Sequence, residues 1–330
     1  MSSATDPAMP PLYVLDECRG VLRVYSDGSI WRSSEPSFKV SVQDDGSVEW
    51  KDVVFDPTHN LLLRLYKPAA YSSSAGKLPI FVYIHGGGFC IGSCTWPNFH
   101  HYCLKLSLEL QAVVVSPNYR LAPENRLPAA IDDCFTSVKW LQAQALFQEP
   151  DPWLTGVADF GKAFISGDSA GGNIAHNLAV RLRAGSPELA PVQVRGYVLL
   201  GPFFGGTVRT KSEAEGSKEA FLNLELIDRY WRLSIPVGDT TDHPLVNPFG
   251  PTSHKLELVD LDPILVVAAG CDLLKDRTLD YAERLKKWGK KIEYVEFEGQ
   301  QHGFFTVNPT SDAAKKLMPV IQSFIAQNST

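Results

Sequence analysis

The chain has 330 residues, a formal net charge of −6 and 44% hydrophobic residues, enough for the core of one large domain. It has no basic cluster, so we expect neither nucleic acid nor membrane as a partner, and it offers no cationic pocket for an acidic substrate. No apolar run reaches the roughly 18 residues that span a bilayer, and residues 1–11 are unlike a signal peptide, so we predict a cytoplasmic protein.

Strand and helix patterns alternate over most of the sequence. Antiparallel strands are predicted first, from short runs joined by turns at 21–25, 51–55 and 61–66. Apolar runs predict further strands at 80–84, 112–116, 163–166, 196–200, 263–269 and 292–297. Helical spacing is found at 98–110, 128–146, 172–184, 276–288 and 311–327. This alternation predicts a mostly parallel sheet with helices on both faces.

Two segments, residues 1–20 and about 205–250, belong to no strand-helix unit. A long insertion after a strand is more often a functional lid than an idle loop. We therefore expect a cap over the site, contributed by about 1–45 and 205–250. Within the second segment, the charged run from Lys211 to Glu219 predicts a solvated, mobile link.

A serine between two glycines follows the strand predicted at 163–166. Gly167 and Gly171 stand two residues on either side of Ser169, and a helical pattern begins at Gly172. A strand, a sharp turn and a helix form a nucleophile elbow, in which the strained turn exposes the serine oxygen. The serine also needs a general base beside it, because its hydroxyl is a poor nucleophile at neutral pH. Ser169 is therefore the predicted nucleophile.

Three consecutive glycines follow the strand predicted at 80–84. Such a loop can turn its backbone N–H groups towards one point, as the negative oxygen of a tetrahedral intermediate requires. We predict an oxyanion hole formed by the N–H groups of Gly87, Gly88 and Ala170. His85, in the same loop, is interpreted as a residue that organises the loop, because the base is expected after the nucleophile.

The acid and the base should follow the nucleophile in that order, each after a later strand. Asp272 follows the strand predicted at 263–269, and His302 follows the strand predicted at 292–297. His302 would take the serine proton, and Asp272 would orient its ring. Asp276 is the alternative acid, although a carboxylate at a helix start is its simpler interpretation. Seven other histidines lack the context of His302: His59, His85, His100, His101, His176, His243 and His254.

Together these motifs resemble the hormone-sensitive-lipase branch of the α/β-hydrolases, and more narrowly the plant carboxylesterases. The resemblance rests on His85-Gly86-Gly87-Gly88, on Gly167-Asp168-Ser169-Ala170-Gly171-Gly172, on Asp272 and His302, and on stretches at 22–28, 51–55, 63–68 and 118–124. It covers about residues 10–325. It implies one α/β-hydrolase domain over residues 1–330, with about eight strands and a helical cap, which hydrolyses carboxylic esters without metal or cofactor.

Members of the same family that are not esterases supply the alternatives. Gibberellin receptors are similar over the whole length but lack the catalytic histidine, whereas His302 is present here. Isoflavanone dehydratases share the fold, and one version has threonine in place of Ser169; acyl transfer is a further alternative. We predict a monomeric serine carboxylesterase that hydrolyses short to medium acyl esters through an acyl-enzyme, with a small-molecule ester as its only partner.

Side chains near the motifs are candidates for the substrate pocket. The apolar candidates are Phe89, Cys90, Phe203 and Phe304. Each has an equal claim to be plain core, because aromatic side chains bury large areas in any fold. Asp168 is expected to hold the elbow or the cap, and Tyr119 to support the oxyanion loop.

The six cysteines show no metal-type pairing. We interpret all of them as free thiols of a reducing compartment. They are Cys18, Cys90, Cys94, Cys103, Cys134 and Cys271.

Overall fold

The computed structural model describes residues 11–72, 76–147 and 150–329. The strands within these residues are β1 (Val14–Cys18), β2 (Leu22–Tyr25), β3 (Ile30–Arg32), β4 (Val48–Asp56), β5 (Leu61–Pro68), β6 (Leu78–Ile84), β7 (Val113–Pro117), β8 (Ala158–Asp168), β9 (Val194–Leu200), β10 (Ile264–Ala269) and β11 (Ile292–Phe297). The α-helices are α1 (Pro97–Leu110), α2 (Ala129–Leu146), α3 (Pro152–Thr155), α4 (Ala170–Leu182), α5 (Lys211–Glu215), α6 (Leu224–Ser234), α7 (Lys275–Lys287), α8 (Phe304–Val307) and α9 (Asp312–Asn328). Residues 1–10 of the predicted cap lie outside the described residues.

Eight strands form the central sheet in the order β11-β10-β9-β8-β6-β7-β5-β4. The strands from β6 to β11 pair in parallel. In contrast, β5 is antiparallel to both of its neighbours, β4 and β7. The predicted sheet of about eight mostly parallel strands, with antiparallel strands early in the chain, is confirmed.

The parallel strands are buried on both faces, which explains their continuous apolar sequences. Every residue of β7 and of β10 is buried. Helices α1, α4, α7 and α9 pack against the sheet and cover it. Because β6, β8, β10 and β11 are parallel, their carboxyl ends meet at one edge, where open α/β sheets bind their ligands. The residues that follow these four strands are the predicted site residues.

A second, three-stranded antiparallel sheet, β1-β2-β3, lies in the first part of the chain. Strands β1 and β3 were not predicted, because β1 has a mostly exposed sequence without apolar alternation and β3 has only three residues. This small sheet packs on α6. Asp16 of β1 forms ion pairs with Arg229 and Arg232 of α6.

The prediction of a solvated link from Lys211 to Glu219 is wrong at Glu213, which is buried. Glu213 is 2% exposed and completes a capping box with Thr210 at the start of α5. Its carboxylate is paired with Arg277 of α7, whose Nη2 lies 2.8 Å from Glu213 Oε2. A buried carboxylate is tolerated here because a bidentate guanidinium neutralises it. The ion pair fixes α5 on the body of the domain.

The described residues hold all six cysteines as free thiols, five of them buried and Cys271 exposed. Among the described helices, none combines the length and the apolar character needed to cross a membrane.

Candidate active site

Ser169 lies in a sharp turn between β8 and α4. Its backbone has φ 54° and ψ −118°, which residues with a side chain seldom adopt. A Cβ on Gly167 would lie 2.3 Å from the carbonyl oxygen of Gly171, and a Cβ on Gly171 would lie 2.0 Å from that of Ile84. The strand and helix therefore meet too closely for any residue but glycine at these two positions. The Ser169 N–H donates to the Leu200 carbonyl at 2.9 Å and fixes the turn.

Asp272 and His302 form a hydrogen-bonded pair after β10 and β11. His302 Nδ1 lies 2.6 Å from Asp272 Oδ2; Asp272 is buried and His302 is largely buried. The Leu274 N–H donates to Asp272 Oδ1 at 3.0 Å, so both carboxylate oxygens are engaged. The imidazole is thereby held in one orientation, with Nε2 left to exchange a proton.

Ser169 and His302 both line one cavity of about 570 Å³. Among the described residues, no direct hydrogen bond joins the Ser169 hydroxyl to the His302 ring. Such bonds often tighten only when substrate binds. The cavity therefore gives a bound molecule access to a serine hydroxyl and a carboxylate-oriented imidazole together.

The glycine loop after β6 presents backbone N–H groups beside Ser169. Gly87 and Gly88 have φ of 120° and 58° and line the cavity. Ala170 is the first residue of α4, where N–H groups have no partner within the helix. In the part of the chain that the structure describes, none of these three N–H groups donates to an acceptor of the protein. They remain available to an oxygen of a bound molecule.

Asp168 and Tyr119 hold this loop in place. Asp168 Oδ1 accepts from the Tyr83 hydroxyl at 2.7 Å and from the Gly86 N–H at 2.9 Å. The Tyr119 hydroxyl donates to the His85 carbonyl at 2.9 Å. Asp168, the residue before Ser169, thus ties the glycine loop to the elbow, and Tyr119 also supports this loop.

Burial dominates the electrostatics of Asp168 and opposes the charge of His302. Burial raises the pKa of Asp168 to about 6, although its hydrogen bond from Tyr83 and the charge of His302 lower it. Burial also disfavours the His302 imidazolium, but the charge and hydrogen bond of Asp272, with the charge of Asp168, outweigh it and raise the pKa of His302. Two carboxylates therefore stabilise the protonated imidazole that proton transfer from Ser169 would produce.

Asp168→Asn is expected to move the acid limb of the pH profile of kcat/KM to lower pH. The base must be neutral, so activity falls as pH drops through the pKa of His302, and removing one negative charge lowers that pKa. Asparagine keeps an oxygen for the Tyr83 and Gly86 donors, so the loop should stay in place. The measurement is kcat/KM from pH 5 to 9 on a neutral ester.

Asp276→Asn is the matched control for that experiment. Asp276 accepts the Ser212 N–H at 2.7 Å and does not contact His302, so its removal should leave the limb where it is. The same acid limb in Asp168→Asn and in the wild-type protein would contradict the electrostatic role given to Asp168.

The apolar candidates for the pocket lie elsewhere than the main cavity. Phe203 stacks on Trp231 at a ring-centroid distance of 3.8 Å, and Phe89 packs beside both rings. Cys90 is fully buried next to Phe89. Phe304 lines a smaller cavity of about 270 Å³ behind the Asp272–His302 pair. Of the predicted pocket residues, Asp168 alone lies in the wall of the main cavity, because aromatic stacking draws the phenylalanines into the core.

Both segments of the predicted cap contribute to the cavity wall. The residues from 205–250 are Phe221, Leu222, Leu226 and Tyr230. Leu226 and Tyr230 are four residues apart on α6 and lie on one face of this amphipathic helix, whereas Phe221 and Leu222 precede it. The residues from 1–45 are Arg19 and Phe38. We expected no cationic pocket for an acidic substrate, whereas the guanidinium of Arg19, which sequence reasoning missed, lies in the wall of this cavity.

The alternative acid and two of the other histidines are held by packing or hydrogen bonds away from the cavity. Asp276 binds α5 and does not contact His302. His85 is buried against Tyr119, with ring centroids 4.4 Å apart, and burial lowers its pKa to about 4. His176 is packed on α4, with Nδ1 2.9 Å from the Tyr281 hydroxyl. None of these side chains lines the cavity.

One cluster has the composition of a cation site. Atoms of Asp56, His59 and Asp133 lie within 4.8 Å of one another. However, the His59 ring lies 2.7 Å from Asp56, and the Arg120 guanidinium binds Asp133 at 2.7 Å. These internal partners account for the cluster, which lies outside the cavity.

The fold and the arrangement of Ser169, Asp272 and His302 define the class of an α/β-hydrolase. The sequence matches the family described as having an alpha/beta hydrolase fold over residues 81–306. The chain belongs to this family, as its resemblance to the hormone-sensitive-lipase branch predicted.

Relatives of the chain include both enzymes and a receptor. It is 39% identical over 295 residues to a probable carboxylesterase 6 of Arabidopsis thaliana, with 88% of this chain and 84% of the relative covered. It is 38% identical over 286 residues to the gibberellin receptor GID1C of the same plant, with 83% and 79% covered. Among solved structures, a thermostable carboxylesterase cloned from a metagenomic library is similar, with a TM-score of 0.71, 29% identity, and 86% and 90% coverage.

Proposed function

We propose that the protein is a serine carboxylesterase that hydrolyses short to medium acyl esters through an acyl-enzyme. The observation that carries the proposal is the cavity itself. It places the hydroxyl of Ser169, the ring of His302 and the N–H groups of Gly87 and Gly88 around one space. Asp272, 2.6 Å from His302, supplies the orienting carboxylate. The similarity to a probable carboxylesterase and to a carboxylesterase of known structure supports the same reaction class.

In the first half of the proposed reaction, Ser169 Oγ attacks the ester carbonyl while His302 Nε2 takes its proton. The negative oxygen of the tetrahedral intermediate accepts from the N–H groups of Gly87, Gly88 and Ala170. Collapse expels the alkoxide, which takes the proton from the His302 imidazolium and leaves as the alcohol. Asp272 stabilises that imidazolium and stays ionised. The acyl group remains bonded to Ser169.

In the second half, the same groups act on water. His302 takes a proton from a water molecule, whose oxygen attacks the acyl carbonyl and forms a second tetrahedral intermediate in the same oxyanion hole. The intermediate expels Ser169, which regains its proton from His302. The carboxylic acid leaves and the enzyme is restored. Each half therefore needs His302 first as a base and then as an acid.

The proposal includes a cap over the active site, with a monomeric state and a cytoplasmic location as further predictions. We assign the cap to residues 11–45 and 205–250, since Arg19, Phe38, Phe221 and Tyr230 of these segments line the cavity. The aromatic rings of Phe38, Phe221 and Tyr230 give part of the wall near Ser169 an apolar surface, which favours contact with the carbon chain of an acyl group. The predicted monomer and cytoplasmic location stay predictions.

Hydrolysis of 4-nitrophenyl esters from acetate to long acyl chains should show turnover that is lost in Ser169→Ala. Steady-state kcat/KM across the series would also give the acyl-length preference. Ser166→Ala is the matched control, because Ser166 is buried on β8 with no hydrogen-bond partner for its hydroxyl among the described residues. This control should keep wild-type turnover. A folded wild-type protein without turnover would favour the ligand-binding role that its receptor relative carries by name.

A further inference from the structure

The turn between β1 and β2 has an unusual residue for its geometry. The Val21 N–H donates to the Cys18 carbonyl at 2.9 Å, which closes a four-residue turn. Its central residues, Arg19 and Gly20, have φ of 55° and 68°. Turns with positive φ at both central positions are dominated by glycine, asparagine and aspartate, because a long side chain is strained there. Arg19 therefore departs from what the local backbone favours.

The strained backbone position directs the Arg19 side chain into the cavity wall. Its Nη1 donates to the Phe221 carbonyl, and Cζ lies 3.8 Å from the centroid of the Phe221 ring. Arg19 thereby lines the cavity together with Ser169 and His302. A residue that breaks a local rule is expected at functional sites, where its side chain has a use that offsets the strain.

The guanidinium of Arg19 has unused capacity for an anion. Among the described residues, its Nε and Nη2 donate no hydrogen bond, and no carboxylate lies within ion-pair distance of it. The nearby carboxylate of Glu17 accepts the Gly20 N–H of the same turn. Burial lowers the pKa of Arg19, opposed by Tyr230 and Glu17, but an arginine stays charged at neutral pH. A partly buried cation without a close counter-ion is therefore present beside the reacting groups.

We propose that Arg19 is a specificity-determining residue that binds a free carboxylate of the ester substrate, remote from the bond that is cleaved. The planar guanidinium fork matches a carboxylate in two parallel hydrogen bonds. The oxyanion of the reaction has its own donors at Gly87, Gly88 and Ala170, so Arg19 serves a second group. The substrate class is then an ester of a dicarboxylic acid, or of an alcohol that carries a carboxylate. This inference rests on the proposed esterase function.

Two pairs of esters test the inference by comparing a charged member with a neutral one. On the acyl side the pair is mono-4-nitrophenyl glutarate and 4-nitrophenyl pentanoate. On the alcohol side the pair is 4-acetoxybenzoate and its methyl ester. The measured quantity is the ratio of kcat/KM for the charged ester to kcat/KM for the neutral ester. Intrinsic differences in reactivity cancel when this ratio is compared between protein variants.

Arg19→Asn should lower that ratio by about 10- to 150-fold in at least one pair, the range for hydrogen bonds to a charged group. Arg19→Lys keeps a positive charge but lacks the planar fork of the guanidinium. Its ratio should lie between the ratios of Arg19→Asn and the wild-type protein. Asn-Gly is a favoured sequence for a turn with two positive φ angles, which offsets the lost contacts of Arg19 with Phe221, so Arg19→Asn should fold, as a thermal melt would show. Arg19→Gly is a second charge-free variant that the backbone accepts without strain.

Arg23→Gln is the matched control, because it removes one positive charge from the neighbouring strand. Arg23 is exposed, with Cζ 5.1 Å from the centroid of the Trp31 ring, and lies outside the cavity wall. Its ratios should equal the wild-type ratios. Unchanged ratios for both pairs in Arg19→Asn and Arg19→Gly would overturn the inference about Arg19 and leave the proposed esterase function intact. A folded wild-type protein that hydrolyses none of the four esters would contradict the proposed function, and the inference with it.

Discussion

His302→Ala should lower kcat by about four to six powers of ten and change KM much less, because nucleophile and base act as one unit. Without the imidazole, the described cavity wall holds no second histidine to take the Ser169 proton. Asp168, the other titratable group in the wall near Ser169, has Oδ1 occupied by Tyr83 and Gly86. The measurement is steady-state hydrolysis of the best 4-nitrophenyl ester.

Folding has to be checked in the same variant. Removing His302 leaves the buried carboxylate of Asp272 without its hydrogen-bond partner at Oδ2, which costs about 1–3 kcal/mol or more of stability. The thermal melt therefore accompanies the kinetics, and His302→Asn, which can still donate to Asp272, is the second variant. His254→Ala is the control, since His254 is exposed. Turnover within tenfold of wild type in a folded His302→Ala protein would remove His302 from the proposed mechanism.

The sequence predicted the sheet and the positions of the main site residues for one physical reason. Strands buried on both faces leave continuous apolar runs, and the polar residue that follows such a run lies at the carboxyl edge of a parallel sheet. Asp272 after β10 and His302 after β11 could be placed together in this way, although thirty residues separate them. Gly167 and Gly171 added a steric signature of the elbow that is local in sequence.

The walls of the cavity could not be predicted because long-range packing determines them. Phe203 follows a strand as the site residues do, but its ring stacks on Trp231 and lies in the core. Glu213 belongs to a charged run that is typical of a solvated link, and its burial depends on Arg277, 64 residues further on. Composition cannot show such a pairing.

Arg19 is the clearest case of a missed residue. It precedes Ser169 by 150 residues and lies in a segment without a strong periodic pattern. The dipeptide Arg19-Gly20 is typical of an ordinary surface turn. The signal appears only with the backbone angles, since φ of 55° at an arginine is strained.

Gly88→Ala should lower kcat/KM by about 10²- to 10³-fold, the loss that follows removal of one oxyanion donor. A Cβ at this position would lie 2.3 Å from the ring of Tyr230, and φ is 58°. The loop must therefore shift, and the Gly88 N–H moves away from the oxygen that it would bind. The measurement is kcat/KM on a short neutral ester, with a thermal melt to confirm folding.

Tyr230→Ala separates the two causes of that loss, because Tyr230 supplies the contact and the backbone angle supplies the strain. If the ring displaces the loop, the double variant Gly88→Ala/Tyr230→Ala recovers much of the activity relative to Tyr230→Ala alone. A residual loss should remain, because an alanine at positive φ costs about 1–2 kcal/mol. If the losses in kcat/KM of the two single variants multiply in the double variant, backbone strain alone displaces the Gly88 N–H. Near wild-type kcat/KM in Gly88→Ala itself would contradict the assignment of Gly88 to the oxyanion hole, and the donors would then be Gly87 and Ala170.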